Sequence, residues 1–437
     1  MRARWFAAFK EGFRSLHNRN YRLFFFGQTV SLAGTWMQDV AQAWLILRLT
    51  DSPLALGTMI MIRFLPMLGL SLFSGVVVDR FPKRSLLLVT QSVMLVQALV
   101  LAGLTSAGLA TVGLIYLLSG IRGVADALDM PTRQSFVVEM VGPQDVPNAV
   151  ALNSTMFNIA RIAGPALGGV LVATVGTAIC FYVNAASFLA VLVALVLMRT
   201  ADLHSVAPRR DGRVLPELVE GLRYARRTPD VFLIIITLGF LGTFGYNFNI
   251  VVPLIAKYVV DSGPAGLGAL TAAMGVGSLV AALFLAYRSR PSRKVLLLSA
   301  SLFTLLWFCI GLSSRLVPSL ILLFLVGSAG VVFMTTCNIR LQLLSPAHLR
   351  GRMMALYSLL FVGTTPISSE LIGYMAEKIG VRESIVGMSA LCLLGVLAGT
   401  AYARRSRLFS LPDLAAQMPA VPKSPVMVEA AQSEAAE

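Results

Sequence analysis

The sequence is poor in the residues from which metal sites and most catalytic centres are built. It contains four cysteines and three histidines among 437 residues. No two cysteines have the spacing of a metal-binding or redox pair, and all four fall in apolar segments, which favours buried structural thiols. These residues are Cys180, Cys309, Cys337 and Cys392, and His17, His204 and His348. We therefore expect neither a metal nor a cofactor.

The sequence also lacks the residue groupings that most enzymes need. It has no Gly-x-x-x-x-Gly-Lys-(Ser/Thr) loop, which would bind the phosphates of ATP. No nucleophile, metal set or paired acid and base is recognisable where a membrane enzyme would hold one. We expect a protein that is not an enzyme and does not hydrolyse ATP.

Charge is scarce, and long apolar runs take its place. The chain is 57% hydrophobic and only 13% charged, with a mean hydropathy of +0.78, which places it in a bilayer. A spanning helix needs about 20 apolar residues, and the sequence predicts twelve such spans. They cover residues 22–49, 54–78, 85–106, 109–131, 148–174, 178–198, 230–256, 265–287, 295–313, 317–340, 353–376 and 384–403.

The distribution of basic residues predicts the orientation of these spans. Of the 36 lysines and arginines, 28 fall in segments that would face one side, including Arg133 in the loop after span 4. Six fall on the other side, including Arg63, and two lie within spans. This positive-inside asymmetry predicts a multi-pass protein of the inner (plasma) membrane with both termini in the cytoplasm. It also explains the net charge of +15 by contact with lipid headgroups rather than with nucleic acid. No cleavable signal peptide is recognisable near residue 20.

The chain divides into two related halves. Residues 21–198 and 230–403 each hold six predicted spans, and residues 199–229 form a cytoplasmic linker. Residues 1–20 read as a cytoplasmic amphipathic segment, and residues 404–437 as a disordered cytoplasmic tail. Apolar residues at helical spacing predict an amphipathic surface helix within the linker, namely Leu215, Leu218, Val219 and Leu222. An unstructured basic linker is the alternative. Weak repetition between the halves is typical of parallel six-helix repeats.

The segment Gly75–Arg84 lies between predicted spans 2 and 3. It places Gly75 four residues before Asp79, which is followed by Arg80, Lys83 and Arg84. The segment resembles the signature loop of the major facilitator superfamily, except that Pro82 stands where glycine is usual. The resemblance implies an all-α membrane fold of twelve helices in two six-helix halves. It also implies a gating role, with Gly75 at a close helix contact and Asp79 fastening the cytoplasmic side.

A second motif supports the same resemblance. Predicted span 5 contains Gly164, Pro165, Gly168 and Gly169, similar to an element of proton-coupled exporters in that superfamily. Small residues let helices approach closely, so simple helix packing is the alternative. Further stretches, at 63–66, 131–134 and 340–357, resemble the branch of transmembrane secretion effectors that includes enterobactin exporters. The resemblance implies export, but no motif specifies a substrate.

Five ionisable residues lie at membrane depth, where charge is costly and often functional. In the fold that the resemblance implies, spans 1, 4, 7 and 10 line a central cavity, so Asp39 and Arg122 are candidates to face each other. Arg122 and Asp126 lie four residues apart on one helix face. We expect Asp39 or Asp126 to carry a proton, although a purely structural ion pair is an open alternative. For Arg161 and Glu370 we favour a structural role.

Neutral residues on the same spans predict contacts to an amphipathic ligand. The set is Trp36, Gln38, Gln42, Tyr246, Asn247, Asn249, Thr335, Thr336 and Asn338. Each of them alone is also explained as a helix-helix hydrogen bond. The sequence thus predicts a monomeric secondary transporter that exchanges protons for a small amphipathic molecule, siderophore-like, drug-like or a metabolite. An importer or facilitator, and a membrane receptor or scaffold that does not transport, are the alternatives.

Overall fold

The computed structural model describes residues 12–204, 214–288 and 291–413, and these ranges are helical with no strand. The first six spans are the helices Arg19–Thr50, Pro53–Arg80, Lys83–Ser106, Val112–Val141, Val146–Thr174 and Thr177–Val196. Span 7 is built from Pro229–Phe240, Leu241–Gly245, Phe248–Leu254 and Ile255–Val259. Spans 8 to 10 are Gly263–Arg288, Arg293–Leu312 and Leu316–Leu344. Span 11 joins Arg350–Ser358, Leu359–Gly363 and Thr365–Ile379, and span 12 is Val381–Arg405.

Short polar residues set where several spans begin. The side chains of Asn18, Ser52, Thr111 and Ser292 each accept a hydrogen bond from the backbone N–H three residues further on. Such caps satisfy N–H groups that have no partner within the helix. The described helices are longer than the predicted spans mainly at one end of the bundle, where span 4 continues to Val141 and span 10 to Leu344.

Nine of the described helices are long and apolar enough to cross a membrane by themselves. Spans 1, 4 and 7 fall outside this group. Span 1 carries the buried amides Gln28, Gln38 and Gln42, and span 4 carries the buried charged residues Arg122 and Asp129. Span 7 is interrupted by two π turns, and span 11 by one. Together these helices are consistent with twelve passes. The expected all-helical membrane fold is confirmed, whereas the breaks in spans 7 and 11 were not predicted.

The two six-helix halves meet at one end of the bundle, which we call the far end. The other end, the basic end, carries residues 12–18, residues 406–413 and the loop between spans 2 and 3. A Cβ on Gly169 of span 5 would lie 2.7 Å from the Pro264 carbonyl oxygen and 2.8 Å from Gly268 Cα of span 8. Spans 2 and 11 are equally close, because a Cβ on Gly57 would lie 3.2 Å from Gly373 Cα.

Polar contacts fasten the far end. Lys257 of span 7 lies 2.6 Å from Asp51 after span 1 and donates to the Leu47 carbonyl oxygen at 2.5 Å. Ser52 donates to Glu377 of span 11 at 2.9 Å. In span 2, Gly69 and Gly75 lie toward the basic end, and a Cβ on either would meet no atom within 4 Å. The halves are therefore closed together at the far end. They separate at the basic end of span 2, beyond Leu68, which still lies against Gly363 of span 11.

The linker contains the predicted helix, at Val214–Arg227. It makes an angle of 110° with the start of span 7, so it lies across the bundle rather than along it. Tyr224 donates to the Leu344 carbonyl oxygen at 2.6 Å, and Gly221 lies against Met353. The linker helix is thus attached to the second half. The side chains of residues 214–219 lie outside the described part of the chain.

The predicted disordered tail needs a correction. Span 12 continues to Arg405, a 3-10 turn covers Leu408–Ser410, and Asp413 is held by hydrogen bonds, so residues 404–413 are ordered. The remainder of that predicted tail, residues 414–437, lies outside the described residues, as do residues 1–11 of the predicted N-terminal amphipathic segment. Within the described part of that N-terminal segment, residues 14–17 form a 3-10 turn.

Candidate functional site

A cavity of about 570 Å³ lies between the two halves. Spans 1, 2, 4 and 5 form one wall, and spans 7, 8, 10 and 11 form the other. The charged lining residues that the structure describes all belong to the first wall: Asp39, Arg63, Asp126, Arg133 and Arg161. The second wall is neutral, with aromatic, hydroxyl, amide and methionine side chains. The cavity is therefore electrostatically one-sided.

Four charges form a cluster in the first wall, which we call the core cluster: Asp39, Arg63, Arg122 and Asp126. Asp39 Oδ1 is shared, lying 2.7 Å from Arg63 Nη1 and 2.7 Å from Arg122 Nη1. Asp126 Oδ2 lies further away, 3.6 Å from Arg63 Nη2 and 3.7 Å from Arg122 Nε. Two acids balance two bases, so the core cluster is neutral when both acids are ionised.

Backbone packing brings the cluster together. Gly123 of span 4 has no side chain, and its Cα therefore lies directly against the Arg63 carbonyl group and the Pro66 ring of span 2. That contact places Arg63 beside Arg122, while the i, i+4 spacing places Asp126 on the same face as Arg122. Asp39 approaches from span 1.

The members of the core cluster differ in their access to the cavity. The Arg122 side chain is 1% exposed, against 19% for Asp39, 20% for Arg63 and 31% for Asp126. None of the three Arg122 guanidinium nitrogens makes a well-directed hydrogen bond. A buried guanidinium without directed bonds depends on the charge of its neighbours. Protonation of Asp39 would leave it with the distant Asp126 alone.

Sequence reasoning missed two cationic residues of this wall. It counted Arg63 among the outer bases, but the structure places Arg63 within span 2, in the core cluster. Its position eleven residues into a helix that begins at Pro53 was the available signal. Arg133, assigned to the loop after span 4, lies within the helix and reaches the cavity, with its Nε 2.7 Å from Asp129 Oδ2.

Six of the nine predicted ligand-contact residues line the cavity: Trp36, Gln42, Tyr246, Asn247, Asn249 and Thr335. Tyr246 and Asn247 lie at the break in span 7, next to a π turn, a feature often found at functional sites. Tyr246 donates to the Gly330 carbonyl oxygen at 2.6 Å, and Gln42 donates to Ser119 at 2.7 Å. Within the described chain, the side chains of Asn249 and Thr335 show no hydrogen bond and are available to a ligand.

The other three do not line the cavity. Gln38 is fully buried, where it donates to Gln97 at 3.3 Å and accepts from Asn184 at 2.6 Å. Thr336 is 2% exposed, and Asn338 accepts a hydrogen bond from Gln342, four residues along the same helix. For Gln38 and Thr336 the structure favours helix packing over ligand contact, because both side chains are buried outside the cavity lining. Asn338 is partly exposed and lies about one turn beyond Thr335, outside the cavity lining.

The predicted gating loop is not fastened in this structure. Gly75 makes no close helix contact, and Asp79 is exposed with no ion pair among the described residues. Arg80, at the end of span 2, is also exposed. Lys83 instead lies 2.5 Å from Glu139, and Arg84 donates to the Leu195 carbonyl oxygen at 2.7 Å. The expected close contact at Gly75 and pairing of Asp79 are therefore absent while the basic end is apart.

The span 5 motif lies at two helix contacts. A Cβ on Gly164 would lie 2.5 Å from the Ala33 carbonyl oxygen of span 1, and one on Gly168 would lie 3.1 Å from Met37. Gly169 contacts span 8 across the halves, and Pro165 lines the cavity beside it. The motif thus packs span 5 against span 1 on one side and against the second half on the other.

A second ionic network lies at the basic end of the second half, and sequence reasoning missed it. Asp230 at the start of span 7 accepts from Arg293 at 2.9 Å and from Arg340 at 2.7 Å. Asp413, after span 12, accepts from Arg340 at 2.7 Å and from the Arg293 backbone N–H at 2.5 Å. Burial of the Asp413 carboxyl opposes ionisation, but these donors outweigh it and hold its pKa below the ordinary aspartate value.

Two six-helix halves around a central cavity define a solute transporter of the major facilitator type. The chain matches the family of transmembrane secretion effectors over residues 10–431 and belongs to that family. It is 29% identical over 393 residues to the multidrug efflux pump Tap of Mycolicibacterium fortuitum, covering 86% of this chain and 94% of the relative. It is 24% identical to a staphyloferrin A transporter of Staphylococcus aureus, with 85% and 94% covered.

Among solved structures, the chain resembles a bacterial homologue of the iron transporter ferroportin in an inward-facing state. The TM-score is 0.69 at 15% identity, with 88% of this chain and 98% of the other covered. This likeness establishes the fold. The protein is therefore a multi-pass membrane transporter of the major facilitator type, and not an enzyme.

Proposed function

We propose that this protein exports a small amphipathic molecule in exchange for protons by alternating access. The observation that carries the proposal is Asp39, an acid at membrane depth whose Oδ1 is shared by Arg63 and Arg122 at the cavity wall. Ionisable groups at this depth are costly and commonly carry protons in transporters. Export is supported by the efflux pumps among the relatives and by the motif in span 5.

The basic end faces the cytoplasm in this proposal. Its loops carry most of the basic residues, as expected for the inner side of a plasma membrane. With that orientation, contacts at the far end close the cavity toward the outside, and the separated basic end admits substrate from the cytoplasm. This is the loading state of an exporter, and the inward-facing state of the ferroportin homologue supports the assignment by likeness of fold.

Protonation links the cluster to the conformational change. When a proton neutralises Asp39, the core cluster carries a net positive charge, and Arg122 loses its nearest counter-charge at 2.7 Å. The cluster is then less stable in its present packing against span 2. The inward-facing packing therefore favours the ionised cluster. In the proposed cycle the proton enters from outside in the outward-facing state, after substrate has left, and is released to the cytoplasm when the inward-facing packing forms again.

The loop Gly75–Arg84 acts in this cycle as a cytoplasmic latch. It is open here, and closure of the basic end would bring Gly75 and Asp79 against the second half. We expect Asp79→Asn to abolish transport without abolishing membrane insertion, because it removes the charge that fastens the outward-facing state. Asp202→Asn removes an exposed acid at the same end and serves as the control. Normal transport by Asp79→Asn would contradict the latch.

Everted membrane vesicles test the function as a whole. Compounds that raise the melting temperature of the purified protein are added to vesicles energised by respiration, and lumenal acidity is followed with a quenched acridine dye. A proton-coupled exporter releases protons as substrate enters the vesicle, so dye fluorescence rises and an uncoupler removes the response. Flux insensitive to the uncoupler would indicate a facilitator. Binding without flux would indicate a receptor.

A further inference from the structure

Among the described charged residues that line the cavity, Arg161 belongs neither to the core cluster nor to the pair of Arg133 with Asp129. It lies near the middle of span 5 and lines the cavity. Its Nε atom is buried with no hydrogen-bond partner, and no carboxylate of the described chain lies within 4 Å of its guanidinium group. A buried guanidinium nitrogen without a partner is costly, so the position calls for an anion.

The charge balance of the wall leads to the same conclusion. Asp39 and Asp126 balance Arg63 and Arg122, and Asp129 balances Arg133 at 2.7 Å. The opposite wall contributes no charged lining residue among those described. Arg161 therefore leaves the empty cavity with a surplus of one positive charge, in surroundings of low dielectric constant where that charge is poorly screened.

Apolar surface lies next to this charge. Phe157 is one helical turn before Arg161, and its ring makes an edge contact with Trp36, with ring centroids 5.8 Å apart. Trp36 and Phe157 both line the cavity. The backbone is held as well, because Gly275 of span 8 packs against the Arg161 carbonyl oxygen and Ile162. A guanidinium that shares its cavity wall with two aromatic rings matches a ligand that carries an anionic group next to a planar apolar body.

We infer that Arg161 binds the anionic group of the substrate and that the substrate is an aromatic or otherwise amphipathic carboxylate. The planar guanidinium can donate two parallel hydrogen bonds to a carboxylate, while Trp36 and Phe157 receive the apolar part. This inference rests on the proposed function, because it takes the cavity to be the transport site. It assigns the class of substrate and gives Arg161 a binding role in place of the structural one expected from sequence.

A matched pair of probes tests the inference by calorimetric titration of the purified protein in detergent. Naphthalene-2-carboxylate and naphthalene-2-carboxamide share one ring system and differ in charge. We expect the carboxylate to bind the wild-type protein about tenfold more tightly, the range of one charge-assisted hydrogen-bonded pair. Arg161→Gln should abolish this preference while leaving the affinity for the carboxamide within about twofold. Arg161→Lys should keep part of it.

Arg22→Gln is the matched control, since it removes an exposed arginine outside the cavity and makes the same change in net charge. It should behave as the wild type. Equal affinities of the wild-type protein for the two probes would overturn the inference, even if Arg161→Gln fails to fold, and so would an undiminished preference in a folded Arg161→Gln. Displacement of the carboxylate by added phosphatidylglycerol would assign the site to lipid instead and overturn the substrate assignment.

The titration is independent of the proposed direction and coupling, because it needs no gradient. Carboxylate binding without proton-coupled flux in vesicles would uphold the anion site and contradict the exporter. Proton-coupled flux of cationic compounds alone would uphold the exporter and contradict the anion site.

Discussion

Replacing Asp39 by asparagine removes the shared acid of the core cluster while keeping its shape. Arg122, 1% exposed, and Arg63 then face a neutral amide, and Asp126 lies 3.6 Å or more from both. Breaking a buried ion pair costs about 3–5 kcal/mol, and the partial exposure of Asp39 places this case near the lower limit. We expect Asp39→Asn to lower the free energy of unfolding by about 3 kcal/mol.

A second substitution, which removes one of the two arginines, should restore part of the lost stability. The recovery should be larger for the more deeply buried arginine. Asp39→Asn with Arg122→Gln removes the least exposed cation, so it should recover about 2 kcal/mol of that loss. Asp39→Asn with Arg63→Gln removes a cation that can reach cavity water, so it should recover about 1 kcal/mol. Both double variants restore the neutrality of the cluster, and therefore only the burial of the removed cation distinguishes them.

Unfolding by sodium dodecyl sulfate in mixed micelles, followed by circular dichroism, measures these differences. Arg14→Gln is the control, because Arg14 is 53% exposed in its pair with Asp145 and such pairs contribute less than about 1 kcal/mol. Wild-type stability in Asp39→Asn would refute the reasoning. A larger recovery with Arg63→Gln than with Arg122→Gln would refute the ordering by burial.

Three further predictions concern the two ends of the bundle. Gly169→Ala should force spans 5 and 8 apart and destabilise the closed far end by about 1–3 kcal/mol. Distances between spin labels placed across that end should then lengthen, and unchanged distances would refute the close contact. Hydrogen bonds from Lys257 and Tyr258 lower the pKa of Asp51. The contact of Asp51 with Lys257 should therefore persist from neutral pH down through the ordinary pKa range of aspartate and be lost only at lower pH. Spin-label distances across the far end that lengthen already near pH 6 would contradict this. Asp413→Asn should lower the free energy of unfolding by about 1.5–3 kcal/mol at neutral pH, because the charged hydrogen bond from Arg340 is lost. A melting temperature equal to that of the wild type would show that residues 404–413 contribute nothing to stability.

Apolar runs and the position of basic residues were enough to predict the all-helical fold, because lipid forces each spanning segment to satisfy its own backbone. They also predicted the linker helix, since its apolar residues recur at helical spacing. The breaks in spans 7 and 11 were not predictable, because they depend on packing between the halves. The order of residues 404–413 was missed for a similar reason. It depends on Asp413 meeting Arg293 and Arg340, which are distant in sequence.

The site was predicted unevenly. Charge at membrane depth singled out Asp39, Arg122 and Asp126, which the structure brings into one cluster. Arg63 was missed because it was counted among the outer bases, although predicted span 2, residues 54–78, already contained it. Gln38 shows the converse, since a polar residue on a cavity-lining helix can face either the cavity or a neighbouring helix. Patterns in a single sequence predict which residues span the membrane. They do not predict which way each side chain faces, because that depends on tertiary packing.

The most direct test of the account is proton movement in everted vesicles containing Asp39→Asn or Asp126→Asn. A compound that binds the purified wild-type protein is added, and the acridine dye reports proton release. The account predicts a response in the wild type, and its loss in at least one of the two variants, foremost Asp39→Asn, whose Oδ1 links the two arginines. Substrate-induced proton release in both variants at the wild-type rate would contradict it.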